Sequence, residues 1–352
     1  MTTRERMRRV LSGQVPDRIP LCEICFWPET VERWRDEGLP RDVDPLRWLD
    51  MDVLATSWFD SSLRLEEETL SEDDETVTVR DQDGATVRRW KAKTAVRQHL
   101  DYLVKTPDDW LSVRDRLSFS PQRIPDAYAE IWRQSREDGS WLAIVPGEPI
   151  WWVLMVMGFE AALPFMVDYP DVVHEMVAAQ TELSLRMIDA ACDNGKPDAL
   201  WFFSDLGFRN GMLFSPAMFR ALVLPYHQRI TTHCHELGLN TVFHCCGDCR
   251  QVIPLLIEGG FDCVQPLEAR AGNDVRQLKS QYGGQIALFG NISVERLSGS
   301  EQEAEDEVRA KLEVAVPGGG YIFHSDHSVP PGVSLANYRR ALEVAREIGT
   351  YE

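Results

Sequence analysis

Short apolar runs recur along the chain, each ending in a polar residue and each followed by a stretch of helical periodicity. Period and composition predict strands at Ile19–Ile24, Val53–Thr56, Leu142–Val145, Ala199–Phe203, Thr241–His244, Cys263–Pro266, Ile286–Phe289 and Tyr321–Phe323. Amphipathic helices are predicted at 108–118, 125–137, 171–194, 216–237, 250–259, 274–282, 302–315 and 335–348. Eight strands alternating with helices predict a parallel (β/α)8 TIM barrel, one domain over residues 1–352. A doubly wound open sheet is the alternative, but no glycine-rich phosphate loop follows the first strand.

Residues 64–104 break the rhythm. They are first Glu-rich, then alternate in period two around Asp83-Gly84, which predicts a β-hairpin inserted after the second strand. At the other extreme, MTTRERMRRVLSG lacks the apolar core of a secretory signal and predicts an amphipathic helix with Met7, Val10 and Leu11 on one face.

Composition narrows the partners. The chain has 352 residues, 44% of them hydrophobic, and a formal charge of −19. So acidic a surface repels phosphate backbones and anionic lipid, so neither nucleic acid nor membrane is an expected partner. Apolar runs such as 150–159 fall short of the ~18 residues of a membrane span. Cys245, Cys246 and Cys249 are too crowded for an ordinary disulfide framework, so a reduced, cytoplasmic setting is expected.

In a (β/α)8 barrel the chemistry sits where the strands end. There the chain places Glu23, Asp60, Glu148, Asp205, His244 with Cys246, Glu268, Asn291, and Asp326 with His327. Side chains two apart share one side of a strand, so His244 and Cys246 can grip one cation, and imidazole with thiolate suits zinc. Cys249 is a rival ligand, although it falls where the next helix begins. Glu148, between Gly147 and Pro149, either caps a helix or faces the pocket. Asp205 is a cap or a functional acid.

These motifs resemble the uroporphyrinogen decarboxylase superfamily, which includes cobamide-dependent methyltransferases. The resemblance rests on Pro16-Asp17-Arg18-Ile19-Pro20, GEPIWW at 147–152, FSDLGFRNGMLFSP at 203–216, FHCCGD at 243–248, FGNIS at 289–293 and the C-terminal GGYIFHSDHSVPPGVSLANYRRALE. It spans nearly the whole chain outside the insertion and implies a (β/α)8 barrel. The family's decarboxylases carry Arg-Gln-Ala-Gly-Arg after the first strand, where this chain has Glu23-Ile24-Cys25-Phe26-Trp27-Pro28, and their tyrosine is replaced near Met155. The methyltransferase branch binds zinc through His-x-Cys and a later cysteine. His244 and Cys246 match the pair, and His327 stands where that cysteine is expected.

The resemblance therefore implies a zinc-dependent methyltransferase exchanging a methyl group between a small substrate and a corrinoid protein. Zinc would be held by His244, Cys246 and His327. Asp205 and Glu148 are the expected catalytic groups, and Asn291, Asp326, Trp27 and Trp58 the expected substrate contacts, with Trp27 and Trp58 suited to a methoxylated compound. No Asp-x-His-x-x-Gly segment is present, so a corrinoid would arrive on a partner. The alternatives are a metal-free decarboxylase and a non-catalytic tetrapyrrole- or corrinoid-binding barrel.

Overall fold

A computed structural model describes residues 1–91 and 97–351. Thirteen strands form among them: β1 (Leu54–Trp58), β2 (Glu68–Glu72), β3 (Thr76–Arg80), β4 (Thr86–Trp90), β5 (Gln98–Asp101), β6 (Trp141–Val145), β7 (Ala199–Phe203), β8 (Gly207–Phe208), β9 (Gly211–Met212), β10 (Asn240–Cys245), β11 (Cys263–Pro266), β12 (Ala287–Phe289) and β13 (Tyr321–Ile322). Seven of these make one curled parallel sheet in the order β1-β6-β7-β10-β11-β12-β13. It is an α/β fold whose helices line the outside of the curl.

Strand alternation explains the two-sided burial. Trp141, Ala143, Val145, Ala199, Trp201, Val242, Cys263, Phe289 and Ile322 point into the curl and form one apolar cluster. Their neighbours Leu142, Ile144, Leu200, Phe202, Phe243, Val264 and Leu288 pack outward on the helices. The first helix, Thr3–Leu11, joins the inner cluster through Met7, Val10 and Leu11. It is pinned by Arg6, whose guanidinium lies 2.5 Å from Asp52 and 2.8 Å from Asp17, and Arg18 reaches Asp52 at 2.7 Å.

The strand expected at Ile19–Ile24 does not form as a regular element. Instead, residues 20–22 lie between the two sheet edges: Cys22 N–H donates to Phe323 O, Phe323 N–H to Pro20 O, and Asp52 N–H to Leu21 O. Pro20 has no N–H to offer a ladder, so single bonds replace one.

Where a two-stranded hairpin was expected in the insertion, four strands form an antiparallel sheet, β2-β3-β4-β5. The Asp83-Gly84 turn joins β3 to β4, with Thr76 opposite Trp90 and Arg80 opposite Thr86. The flanking strands were hidden because Glu68–Glu72 and Gln98–Asp101 are exposed at every position and so show no alternation. Residues 92–96 of the insertion lie outside the described residues.

The helix expected at 216–237 is two, Pro216–Leu222 and Leu224–Glu236, because Pro225 cannot continue the first. Among the described residues no single helix is long and apolar enough to cross a membrane. The apolar helices Pro149–Met157 and Phe159–Asp168 are bent by 114° at Gly158. All eight cysteines are free.

Candidate metal centre and the adjoining cavity

The register of the sheet builds the site. Phe203, His244 and Gln265 lie side by side on β7, β10 and β11, so one row crosses three strands at their C-terminal ends. Phe203 stacks on the imidazole, centroids 4.8 Å apart at 25°. On the other flank His244 Nδ1 donates to Gln265 Oε1 at 2.5 Å. An amide oxygen can only accept, so Nδ1 carries a proton and Nε2 is the ring nitrogen that faces inward.

Two residues further along, just past the ends of β7 and β10, stand Asp205 and Cys246. Nε2 of His244 lies 3.3 Å from Cys246 Sγ and 3.4 Å from Asp205 Oδ1. The Cys246 backbone N–H also donates to Asp205 Oδ1, at 3.1 Å. The three donor atoms all lie within 4.8 Å of one another. A tetrahedral zinc with sulfur and nitrogen ligands separates them by about 3.6 Å, so the nitrogen stands close to the required distance from the sulfur.

The electrostatics depend on what fills the space between them. Burial pushes the Cys246 thiol up, reinforced by the nearby Asp205 and Glu268 carboxylates. Burial also works against Asp205, but the His244 side chain and the Cys246 N–H outweigh it, and the carboxyl ends below its ordinary range. Without a cation, then, the protein favours a neutral thiol beside a carboxylate. Close approach of two loops is needed to bring them together. Gly247 sits at φ +82, and a Cβ there would stand 2.6 Å from Gly207 C; a Cβ on Gly207 would stand 2.4 Å from Cys246 O. Only glycine fits either position.

Several expected site residues serve other purposes. His327 lies in the loop after β13 and is not part of the donor cluster; its carbonyl accepts from Ser325 Oγ. Cys249 is buried and its Sγ is turned to Cys245 O at 3.1 Å. Glu148 caps the helix Pro149–Met157 through Trp151 N–H at 2.6 Å. Its carboxylate also takes Ser204 Oγ at 3.1 Å and pairs with His227 Nε2 at 2.5 Å, with both side chains fully buried. Glu148 is thus held by three partners, and it also lines the cavity beside Trp58 and Trp151. His227 sits among Phe202, Phe219, Phe243 and Phe261. A histidine inside an aromatic helix face gives no periodic signal in a sequence.

Asn291 is equally committed. Its amide protons go to Leu267 O at 2.6 Å and Asn273 O at 2.9 Å, and its Oδ1 takes Val275 N–H at 2.9 Å. It locks three loops instead of presenting a polar group to a substrate. Asp326 accepts Val294 N–H at 2.9 Å and Ala269 N–H at 3.0 Å, and burial holds its carboxyl above the ordinary range despite both bonds. Trp27 precedes the helix Pro28–Asp36 as its N-cap. Glu23 is buried and bound by Ser325 Oγ at 2.9 Å, Tyr338 OH at 3.0 Å and His324 Nε2 at 2.8 Å. The acidic character expected of the 23–28 segment is therefore internally compensated.

Trp58 does reach the site. It ends β1 and its ring packs against Phe203, centroids 4.8 Å apart and tilted by 39°. Beyond it opens a cavity of about 210 Å³ whose lining includes Trp58, Phe203, Trp151, Trp152, Glu148 and Asp83.

The uroporphyrinogen decarboxylase (URO-D) family profile matches residues 117–348, a stretch that carries His244, Cys246 and Asp205. The chain belongs to the uroporphyrinogen decarboxylase family. Two curated relatives, uroporphyrinogen decarboxylases from Nocardia farcinica (strain IFM 10152) and Xylella fastidiosa (strain Temecula1 / ATCC 700964), are 26% identical over 198 residues and 28% identical over 193. These alignments cover 54% and 51% of this chain, which spans about half the length of each relative, 52% and 51%. A solved methyltransferase from Methanosarcina mazei superposes with a TM-score of 0.68 over 99% of both chains, at 17% identity. That likeness establishes a shared fold for this family member, insertion included in the aligned length.

Proposed function

We propose that this member of the uroporphyrinogen decarboxylase family is a zinc-dependent methyltransferase, exchanging a methyl group between a small molecule and a corrinoid carried by a partner protein. The observation that supports it is the convergence of His244 Nε2, Cys246 Sγ and Asp205 Oδ1 at the strand ends. His244, Cys246 and Asp205 would hold the metal, with Asp205 taking the place first expected for His327. Bound zinc supplies Lewis acidity towards a thiol or an ether oxygen. The chain's own residues do the rest. Gln265 fixes the tautomer and the ring plane of His244, and Phe203 holds the opposite face. Glu148 and His227 brace the loop after β6, and Trp58, Trp151 and Trp152 line the adjoining cavity. Fold likeness to a protein named as a methyltransferase makes methyl transfer the activity to assay first.

Decarboxylation is the second reading, favoured by the names of the two curated relatives. Metal analysis after growth with added zinc, together with the spectrum of added methylcobalamin or reduced cobalamin, separates the two. About one zinc per chain and metal-dependent conversion between the cobalamin forms is the expected result. A chain that takes up no zinc even on reconstitution would overturn the proposal and leave decarboxylation to be assayed.

A further inference from the structure

The aromatic cavity is lined by two carboxylates: Glu148, which pairs with His227, and Asp83, which has no ion-pair partner among the described residues. Asp83 comes from the β3–β4 turn of the inserted sheet and lines the cavity beside Trp58, Trp151 and Trp152. Its Oδ1 takes Leu63 N–H at 2.9 Å and, more weakly, Trp152 Nε1–H at 3.4 Å. Among the described residues it has no ion pair and no hydrogen bond at Oδ2. No lysine or arginine lines the cavity.

The surroundings make this deficit larger. Asp81 and Asp60 both add negative charge around it, and burial is the largest influence, lifting its carboxyl to about 6. Arg123 is the nearby cation, and it is spent elsewhere: its donors go to the backbone carbonyls of Ser118, Asp60, Ser62 and Arg116. A half-buried acid in a tryptophan-lined cavity, with no ion-pair partner among the described residues, is complementary to an organic cation. A neutral arene would fill the apolar volume and leave the charge unanswered.

We propose that this cavity binds the ammonium end of a small organic cation, with Asp83 from the inserted sheet as its counter-charge and Trp58, Trp151 and Trp152 as its aromatic walls. Two consecutive ring contacts of 4.8 Å, Trp58 to Phe203 and Phe203 to His244, connect the cavity to the donor cluster. The ammonium is thus a handle, and the atom that reacts is a different part of the same molecule. That the guest is the substrate rests on the methyl-transfer reading; that the cavity takes a cation does not. The inserted sheet becomes the element that reads substrate charge.

Calorimetric titration of the full chain at pH 8 with choline, and with its uncharged isostere 3,3-dimethylbutan-1-ol, tests this. Choline should bind about tenfold or more tightly than the alcohol. Asp83→Asn keeps the shape and the Leu63 contact, and should bring choline down to the affinity of the alcohol without changing the alcohol's own. Zinc content is measured on the same samples, so loss of metal and loss of cation binding are read separately. Equal affinities for the two ligands, no heat with choline, or an Asp83→Asn protein that binds choline like wild type would each overturn the proposal. The wild-type comparison decides the matter even where the variant fails to fold.

Discussion

Gln265 Oε1 accepts the Nδ1 proton of His244 at 2.5 Å, and the other ring nitrogen thereby faces Cys246 Sγ at 3.3 Å. The amide sets which nitrogen is available before any ligand arrives. Replacing Gln265 by Leu should therefore lower zinc affinity about 10- to 100-fold while leaving the donor atoms intact. Competition with a chromophoric chelator measures it. Unchanged affinity in Gln265→Leu would mean that stacking on Phe203 alone orients the ring.

The donor cluster predicts a ranking of single variants. Cys246→Ser and Asp205→Asn should both lose zinc on dialysis against a weak chelator. Cys245→Ser and His327→Ala should retain it, because Cys245 is buried on the outer face, where its Sγ accepts Gly207 N–H at 3.2 Å, and His327 lies outside the cluster. Loss of zinc in His327→Ala, with Asp205→Asn unaffected, would restore His327 as the third ligand.

Asn291 should behave as a structural residue. Asn291→Ala removes three side-chain hydrogen bonds and places an alanine at φ +80. A stability loss of roughly 3 kcal/mol is expected from denaturant unfolding. Full stability with a raised KM would return it to the substrate.

Asp83 links stability to pH with a definite sign. Its carboxyl is lifted to about 6, chiefly by burial, above the ordinary value of an unfolded chain. The folded state therefore holds the proton more tightly, and stability falls as pH rises from about 4 through 6, by at most about 3 kcal/mol. Asp83→Asn should raise Tm at pH 8 and leave it nearly unchanged at pH 4. An equal shift at both values would remove the charge from the account.

Much of this arrangement was legible in the sequence, and what was missed has physical reasons. Seven of the eight expected strands formed because residues buried on both faces of a parallel sheet make dense apolar runs, as in Leu142–Val145 and Ala199–Phe203. Asp205 was visible as a strand-end acid. Its partnership with Cys246 follows from the register that sets Phe203 beside His244, and a sequence does not print the register. Gln265 was passed over for the same reason. Asn291 looked like a pocket residue because a strand-end amide signals polarity but not where its hydrogen bonds go. Asp83 marked a turn correctly, but only the folding of the inserted sheet over the strand ends carries that turn to the cavity.

The helix Thr3–Leu11, packed through Met7, Val10 and Leu11 into the inner cluster and tied down at Asp52, acts as a stopper. With that end plugged, the strand-end mouth serves as a common doorway for everything that reaches His244. If the proposed reaction holds, the small molecule would have to go in first, and the docking carrier would shut it inside. Compulsory order of addition, visible in steady-state kinetics, is the signature such a dead-end chamber imposes.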